Sequence, residues 1–422
     1  MPVKGSRNDC GSTAGTGWLE ALANRCVFIE TYGCRYNFGD TAKLVEILKS
    51  NGCTIIGSAD VADAVIINTC TVVGPTERRM LRQLSRYRDH ELYVTGCMPE
   101  VQREAIFSVC KPTHIPPENI REEYRKVMTV AKGEPGIVQI AQGCLGHCTY
   151  CLTRFARGPL KSFSKEEILL QVQNFVRSGI PEIQLTAQDV SAWGRDCGST
   201  FPEMLVAIND IPGRFMVRVG MMNPTTVNDC LDDLVDAFSG DRIFKFVHIP
   251  FQSGSDAVLT RMGRQYTVAD CEEIVAAFRK QYPDINIATD MIVGFPKETD
   301  DDFSCSCDLI YRVRPNKVNI TRYSSRPFTP ASSEKDFTDS VKKDRSRILN
   351  ARAELLYGVL NRPLLGTVVP FIVTEIIRDG SVMARAPNYT GIVLNEDLPA
   401  GYIGRAILIK DRKYFFIGKR VC

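Results

Sequence analysis

The chain has 422 residues, a formal net charge of +3, and 44% hydrophobic against 24% charged residues. That balance excludes a disordered or collagen-like chain and leaves room for roughly two or three folded domains. No apolar run is long enough to span a bilayer, and Met1–Arg25 lacks the apolar core of a signal peptide, so a cytoplasmic protein with no membrane partner is expected.

Residues 1–25 carry no predicted element and are expected to be a disordered extension. A first domain is expected over 26–130. Val27–Ile29, Ala64–Ile67 and Leu92–Val94 read as strands, and Asp40–Asn51 and Thr76–Tyr87 as helices. This is the pattern of a small α/β domain with a parallel sheet. The Pro-rich Lys111–Glu118 marks its edge, and Lys132–Gly136 reads as a linker.

The stretch 136–359 repeats a longer rhythm. Strands are predicted at Ile137–Ile140, Glu182–Thr186, Phe215–Val219, Phe246–Ile249, Asn286–Met291 and Val318–Thr321. Helices are predicted at Lys165–Ser178, Thr226–Ala237, Ser255–Met262, Thr267–Gln281 and Asp300–Val313. The alternation predicts a (β/α)6 partial TIM barrel, with chemistry at the C-terminal ends of its strands. Over 360–422 the short segments Thr367–Ile376, Ser381–Ala386, Gly391–Leu394, Arg405–Ile409 and Lys413–Gly418 predict a small five-stranded antiparallel β-barrel.

Charge is uneven along the chain. Arg312–Arg352 holds 11 Lys and Arg against 4 Asp and Glu, and Glu77–Arg88 carries Arg78, Arg79, Arg82, Arg86 and Arg88. Either cluster could meet phosphates, and either could be a solvated helix face. The 16 cysteines are more telling. In a long chain without a secretory signature they point to metal or cluster ligation, with several left as buried thiols.

Cys144-Leu145-Gly146-His147-Cys148-Thr149-Tyr150-Cys151 follows an apolar strand with CxxxCxxC spacing. Three thiolates this close can hold three irons of a cubane and leave the fourth open. An open iron can chelate the amino and carboxylate groups of S-adenosylmethionine (SAM). One electron then breaks the sulfonium bond and releases a 5′-deoxyadenosyl radical. Structural zinc is the alternative, but it takes four protein ligands, and no fourth follows at a zinc-ribbon spacing. The segment resembles the radical SAM superfamily, including the aromatic residue before the last Cys.

Four further stretches stand at or near predicted strand ends: Thr186-Ala187-Gln188-Asp189, Arg218-Val219-Gly220-Met221-Met222-Asn223-Pro224, His248-Ile249-Pro250-Phe251-Gln252-Ser253-Gly254-Ser255, and Asp290 through Thr299. In this order they are similar to the methylthiotransferases. By that resemblance Gln188, Arg218, Gln252 and Ser253 line the SAM pocket. The family has Gly where Lys297 stands, which puts the local turn in question.

Cys34, Cys70 and Cys97 each fall just past a predicted strand of the first domain. Parallel neighbouring strands bring such ends to one sheet edge. The three could then ligate a second cubane whose open iron holds sulfide or persulfide, or they could be three buried thiols. The surrounding segments match the N-terminal signatures of the same family, which implies ligation. Cys10, Cys26, Cys53, Cys110, Cys197, Cys230, Cys271, Cys305, Cys307 and Cys422 match none of its ligand positions. Leu364–Lys419 resembles a TRAM domain, an OB-like RNA-binding barrel. There Arg385, Asn388, Tyr389, Lys410, Arg412 and Lys413 offer charge, hydrogen bonds and an aromatic face to RNA, and the basic stretch with Lys342, Lys343, Arg345 and Arg347 lies next to it in sequence.

The whole order resembles the archaeal and eukaryotic branch of the methylthiotransferases, which modifies N6-threonylcarbamoyladenosine beside the tRNA anticodon at C2 of the base. The resemblance implies two [4Fe–4S] clusters, one SAM that methylates sulfur and a second that yields the radical. It also implies the tRNA anticodon stem-loop as partner and a low-potential, ferredoxin- or flavodoxin-like electron donor; the sulfur donor is left open. No residue demands a conventional acid–base role. Alternatives are the same chemistry on isopentenyladenosine or on an aspartate of a ribosomal protein, and an iron–sulfur RNA-binding or sensor protein without turnover.

Overall fold

The computed structural model describes residues 17–71, 74–127 and 135–421. The chain divides into two compact units, Met1–Cys70 with Arg78–Thr129, and Thr71–Glu77 with Val130–Cys422.

In the first unit β1 (Cys26–Thr31), β2 (Thr54–Ile56), β3 (Ala64–Thr69), β4 (Leu92–Gly96) and β5 (Thr113–His114) form one sheet in the order β2-β1-β3-β4-β5. Every pairing is parallel. All of β3 is buried, because helices cover both faces; its sequence is therefore mostly apolar rather than alternating. Ala64 and Ile66 pack with Leu44, Ile47 and Ile120 on one face, and Val65 and Ile67 with Met80 and Leu84 on the other.

The domain does not end at its Pro-rich segment. Pro117 opens a helix, Pro117–Val127, where its missing N–H costs nothing. Ile120 and Tyr124 of that helix are buried in the core formed with the helix Arg35–Ser50. The expected N-terminal extension also contains folded residues: Gly17–Leu22 is helical, with Trp18 and Leu22 in the same core. Residues 1–16, and 128–134 with most of the expected linker, lie outside the described residues.

The second unit begins with β6 (Gly136–Gln139) and a two-stranded ribbon, β7 (Ala141–Gln142) with β8 (Lys161–Ser162). Then follow β9 (Glu182–Thr186), β10 (Met216–Arg218), β11 (Phe246–His248), β12 (Asn286–Val293) and β13 (Lys317–Arg322). Parallel sheets β10-β9-β6 and β11-β12-β13 are joined by the bridges Val217↔Ile243 and Met221↔His248. The strands thus run in chain order as the expected partial barrel. The predicted helix Thr226–Ala237 is broken into Pro224–Asn228 and Leu231–Ala237. Phe201–Asn209, opened by a Thr200–Glu203 capping box, is a further helix.

The basic stretch is largely the helix Asp339–Asn361, and part of it is buried rather than offered to RNA. Lys342 pairs with Asp336 at 2.8 Å. Arg345 pairs with Glu298 at 2.6 Å and Asp300 at 2.8 Å. Burial pushes the Glu298 carboxyl up in spite of its bonds from Gly294 N–H and Arg345. Arg345→Met would strand that carboxylate, so we expect a loss of about 3–5 kcal/mol, read as a lowered thermal midpoint. An unchanged midpoint would show that the pair contributes nothing.

The last strands, β14 (Val368–Arg378), β15 (Ser381–Arg385), β16 (Gly391–Leu394), β17 (Ile403–Asp411) and β18 (Phe415–Val421), close into a barrel in the order β14-β15-β16-β18-β17. It is not wholly antiparallel, because β16 and β18 run parallel. Closing an odd number of strands on themselves requires at least one parallel pair. Its turn Ala386–Thr390 docks on the strand layer, where Lys245 N–H donates to Pro387 O at 2.8 Å and Asn388 to Asp284 O at 3.2 Å. No helix among the described residues is long and apolar enough to cross a membrane.

Candidate functional site

The segment Cys144–Cys151 follows β7 and lies between the two strands of the β7–β8 ribbon in the chain. Gly143 has φ of 82°, and a Cβ there would stand 1.9 Å from Pro159 O, so only glycine lets the chain pass. Gly143 N–H donates to Gln188 Oε1 at 2.7 Å, and Cys144 N–H to Gly158 O at 3.2 Å. Further along, Thr149 N–H bonds Met262 O at 2.9 Å and Thr149 O accepts from Ala331 N–H at 2.9 Å. A loop with no regular structure is thereby held at both ends.

A Cβ built on Gly146 would lie 3.3 Å from the Cys144 sulfur and 3.7 Å from the Cys148 sulfur. Burial pushes the Cys144 thiol up to about 11, with Asp189, Cys148 and Cys151 adding to it. Burial raises Cys148 too, against the nearby Arg264 guanidinium. The three sulfurs thus share one neighbourhood. Backbone N–H groups of Gly146 and Thr153 already point at Cys144 Sγ (3.2 Å) and Cys151 Sγ (3.4 Å), the kind of bond that tunes a cluster's potential. Among the described residues no three Cys, His, Asp or Glu converge to hold a single ion. Three thiolates are one ligand short of tetrahedral zinc and match a cubane, whose thiolates bind separate irons.

Motif reading missed Arg264. Its buried guanidinium lies 5.7 Å from the ring centres of both Tyr150 and Tyr266 and donates to the Tyr150 hydroxyl at 2.5 Å. It puts a fixed positive charge behind Cys148, where thiolates and iron would concentrate negative charge. Nothing in the residue spacing signals it.

The SAM candidates divide. Gln188 bonds the residue before Cys144, which places it at the cysteine loop. Gln252 has φ of 69° and exchanges backbone bonds with Asp290 O (2.8 Å) and Ile292 N–H (2.9 Å), so its residue joins β12 above the Asp290 level. The Ser253 hydroxyl is fully buried, 3.4 Å from Ser306 Oγ and accepting from Ser255 N–H at 3.2 Å. Arg218 lies over Phe246 (5.2 Å) and Tyr389 (5.7 Å), toward the docked turn of the small barrel. Asp189 of the same motif set is buried and ties two strand-end loops, accepting from Ser191, Thr226 Oγ1 (2.8 Å) and Asn223 N–H (3.1 Å). Lys297 takes the glycine-favoured conformation, φ 62°, and the turn persists with a Lys297–Glu334 pair at 2.7 Å.

In the first unit the ends of β1, β3 and β4 are neighbours, with Thr31 opposite Asn68 and Thr69 opposite Gly96. Cys34, Cys70 and Cys97 follow those ends. Cys34 is the residue before the first turn of the helix Arg35–Ser50. Gly33, φ 112°, lets the Cys34 loop close on Cys70; a Cβ on it would meet Cys70 Cβ at 2.8 Å. Asn37, wholly buried, links all three loops. Its amide donates to Tyr32 O (2.9 Å) and Thr69 O (2.8 Å), and its oxygen faces Cys97 Sγ at 3.9 Å. Only the tertiary fold reveals Asn37 as their common tie.

The RNA candidates are not one open face. Lys410 and Arg412 are exposed, and Arg412 lines a groove of about 670 Å³ with Arg378, Ile377 and Phe415. Lys413 pairs with Glu354 at 2.5 Å. Tyr389 cannot offer a free stacking face, because its ring packs on Phe244 and Phe246, its hydroxyl donates to Glu182 at 2.7 Å, and Arg385 covers it at 4.5 Å. Asn388 is committed to the same docking turn.

Comparison with known proteins agrees with this layout. Residues 26–115 match the model of Uncharacterized protein family UPF0004, and residues 138–310 that of the Radical SAM superfamily. A Pyrococcus horikoshii protein described as a probable threonylcarbamoyladenosine tRNA methylthiotransferase is 38% identical over 399 residues, 88% of this chain and 93% of the relative. An Archaeoglobus fulgidus protein of the same description is 37% identical, covering 93% and 97%. The Danio rerio threonylcarbamoyladenosine tRNA methylthiotransferase is 32% identical, covering 77% of this chain and 65% of its own. Among solved structures, the radical S-adenosylmethionine methyltransferase TsrM from Kitasatospora setae superposes with a TM-score of 0.51 at 14% identity, over 73% of this chain and 77% of that one, a likeness of fold. With both family models matched in order and relatives this similar along nearly their whole length, the chain belongs to the threonylcarbamoyladenosine tRNA methylthiotransferases, a family of radical SAM enzymes.

Proposed function

We propose that this chain replaces the C2 hydrogen of N6-threonylcarbamoyladenosine beside the tRNA anticodon with a methylthio group. The observation that carries the reading is two sets of three cysteines, one in the loop after β7 and one following the parallel ends of β1, β3 and β4, in a chain 38% identical to a relative of that description. In this reading Cys144, Cys148 and Cys151 hold one [4Fe–4S] cluster and Cys34, Cys70 and Cys97 the other. When bound, the clusters supply the electron that cleaves SAM and a site for the transferred sulfur. The protein's part is placement. Gly146 and Thr153 N–H groups and Arg264 steady the charge of the first trio, Gln188 beside it helps hold SAM, and Gln252, tied to β12, is the second SAM ligand in this reading. Asn37 keeps the loops of the second trio together. Lys410, Arg412 and Arg378 offer charge to the RNA backbone. A low-potential ferredoxin- or flavodoxin-like donor supplies electrons, and a tRNA substrate puts the work in the cytoplasm.

Nucleoside mass spectrometry of tRNA tests this in a host lacking the activity, with and without the chain. 2-Methylthio-N6-threonylcarbamoyladenosine should appear only with it. An unchanged profile, or methylthiolation of isopentenyladenosine instead, overturns the assignment.

A further inference from the structure

The bore of the parallel strand layer is polar well below the strand ends. Two carboxylates there are already engaged. Asp290 accepts from His248 at 2.9 Å and Asn319 at 2.8 Å, and Glu182 accepts from the Tyr389 hydroxyl at 2.7 Å and Gln184 at 2.6 Å. Two guanidiniums and one ammonium stand near them. The guanidiniums of Arg218 and Arg385 lie 5.7 and 4.5 Å from the centre of one ring, Tyr389. Lys317, the first residue of β13, holds its ammonium over the Tyr414 ring at 6.0 Å; burial lowers its pKa most, Arg218 and Arg385 add to that, and Asp290 opposes it. Arg385 Nε is buried with no hydrogen-bond partner among the described residues. Arg218, Arg385 and Asp290 keep partial solvent access and Lys317 more, so a ligand can reach them. Like charges crowded this way are stabilised by an anion among them.

We propose that Arg218, Lys317 and Arg385 form an anion subsite in this bore that holds the carboxylate of the amino-acid substituent on N6 of the target adenosine. This rests on the function proposed above. The carboxylate of SAM is spent on iron in that reading, so the subsite serves another. Lys317 lies four residues below Thr321 on β13, roughly 13 Å at 3.3 Å per residue. That depth suits a purine whose C2 stays near the strand ends while its N6 substituent reaches downward. It also gives Arg218 and Arg385 a single role that neither the SAM pocket nor an open RNA face provides.

The test uses two anticodon stem-loop RNAs, one with N6-threonylcarbamoyladenosine and one with its threonine carboxylate converted to the amide. The iron-loaded wild-type enzyme should prefer the acid. Lys317→Met and Arg385→Gln should each lower kcat/KM for the acid about 10- to 100-fold, with little change for the amide, and Lys317→Arg should restore the preference. Wild-type enzyme that treats both RNAs alike overturns the subsite and leaves the function standing. Variants that slow both RNAs equally, as lost phosphate contacts would, or that raise KM for SAM, also overturn it. If the wild type modifies neither RNA, the function and the subsite fall together.

Discussion

Protein carrying Ala at Cys144, Cys148 and Cys151 will make no 5′-deoxyadenosine from SAM under reducing conditions, and its iron will fall from about eight to about four per chain. The reason is local. The loop is pinned at Gly143, Cys144 and Thr149 by bonds that do not involve the thiols, so the fold outlasts the substitution while the ligands vanish. As free thiols Cys144 and Cys148 have raised pKa values, and near neutral pH they carry protons that iron binding must displace. Cluster assembly should therefore weaken as pH falls. Iron and sulfide analysis of anaerobically purified protein, with chromatography of SAM cleavage products, checks both effects. A triple variant that keeps eight irons or still cleaves SAM refutes the assignment of these ligands.

The matching substitution at Cys34, Cys70 and Cys97 separates the two halves of the reaction. Iron should again fall to about four, SAM cleavage should continue, and methylthiolation of the stem-loop should drop to background. Cys34 is exposed, and Cys70 and Cys97, though buried, lie outside the strands, so Ala at these positions should leave the sheet intact. Cys70 and Cys97 stand just past the paired residues of β3 and β4, whose registers run to Thr69 and Gly96. If this variant also loses SAM cleavage, the two trios do not act separately. If it keeps methylthiolation, the sulfur does not come from that site.

How much of this was legible before folding depends on how far apart the partners are in sequence. Cys144, Cys148 and Cys151 declare themselves within eight residues. The strand ends carrying Cys34, Cys70 and Cys97 are visible because short apolar runs precede each of them, and a parallel sheet aligns its ends. Arg345 read as part of a basic surface because its buried acidic partner, Glu298, lies 47 positions away, whereas Asp336 and Asp339, the partners of Lys342, stand close by in the sequence. Tyr389 read as a stacking ring because its hydroxyl acceptor, Glu182, is 207 positions away. The Pro-rich segment looked like a boundary because proline breaks helices in their interior but starts them equally well.

By itself, then, the chain's order determined the three-part α/β and β-barrel plan, the residue types for two iron–sulfur sites, and the family. Those features rest on short-range spacing and on periodicity, which the chain carries in any conformation. Only the tertiary structure decided which charges meet water and which are buried in pairs. It also decided that Arg264 backs Cys148, that Asn37 ties three loops, and that Arg218 and Arg385 meet on the Tyr389 ring. Such outcomes depend on burial and on contacts between distant strands, and these exist only once the sheets have closed.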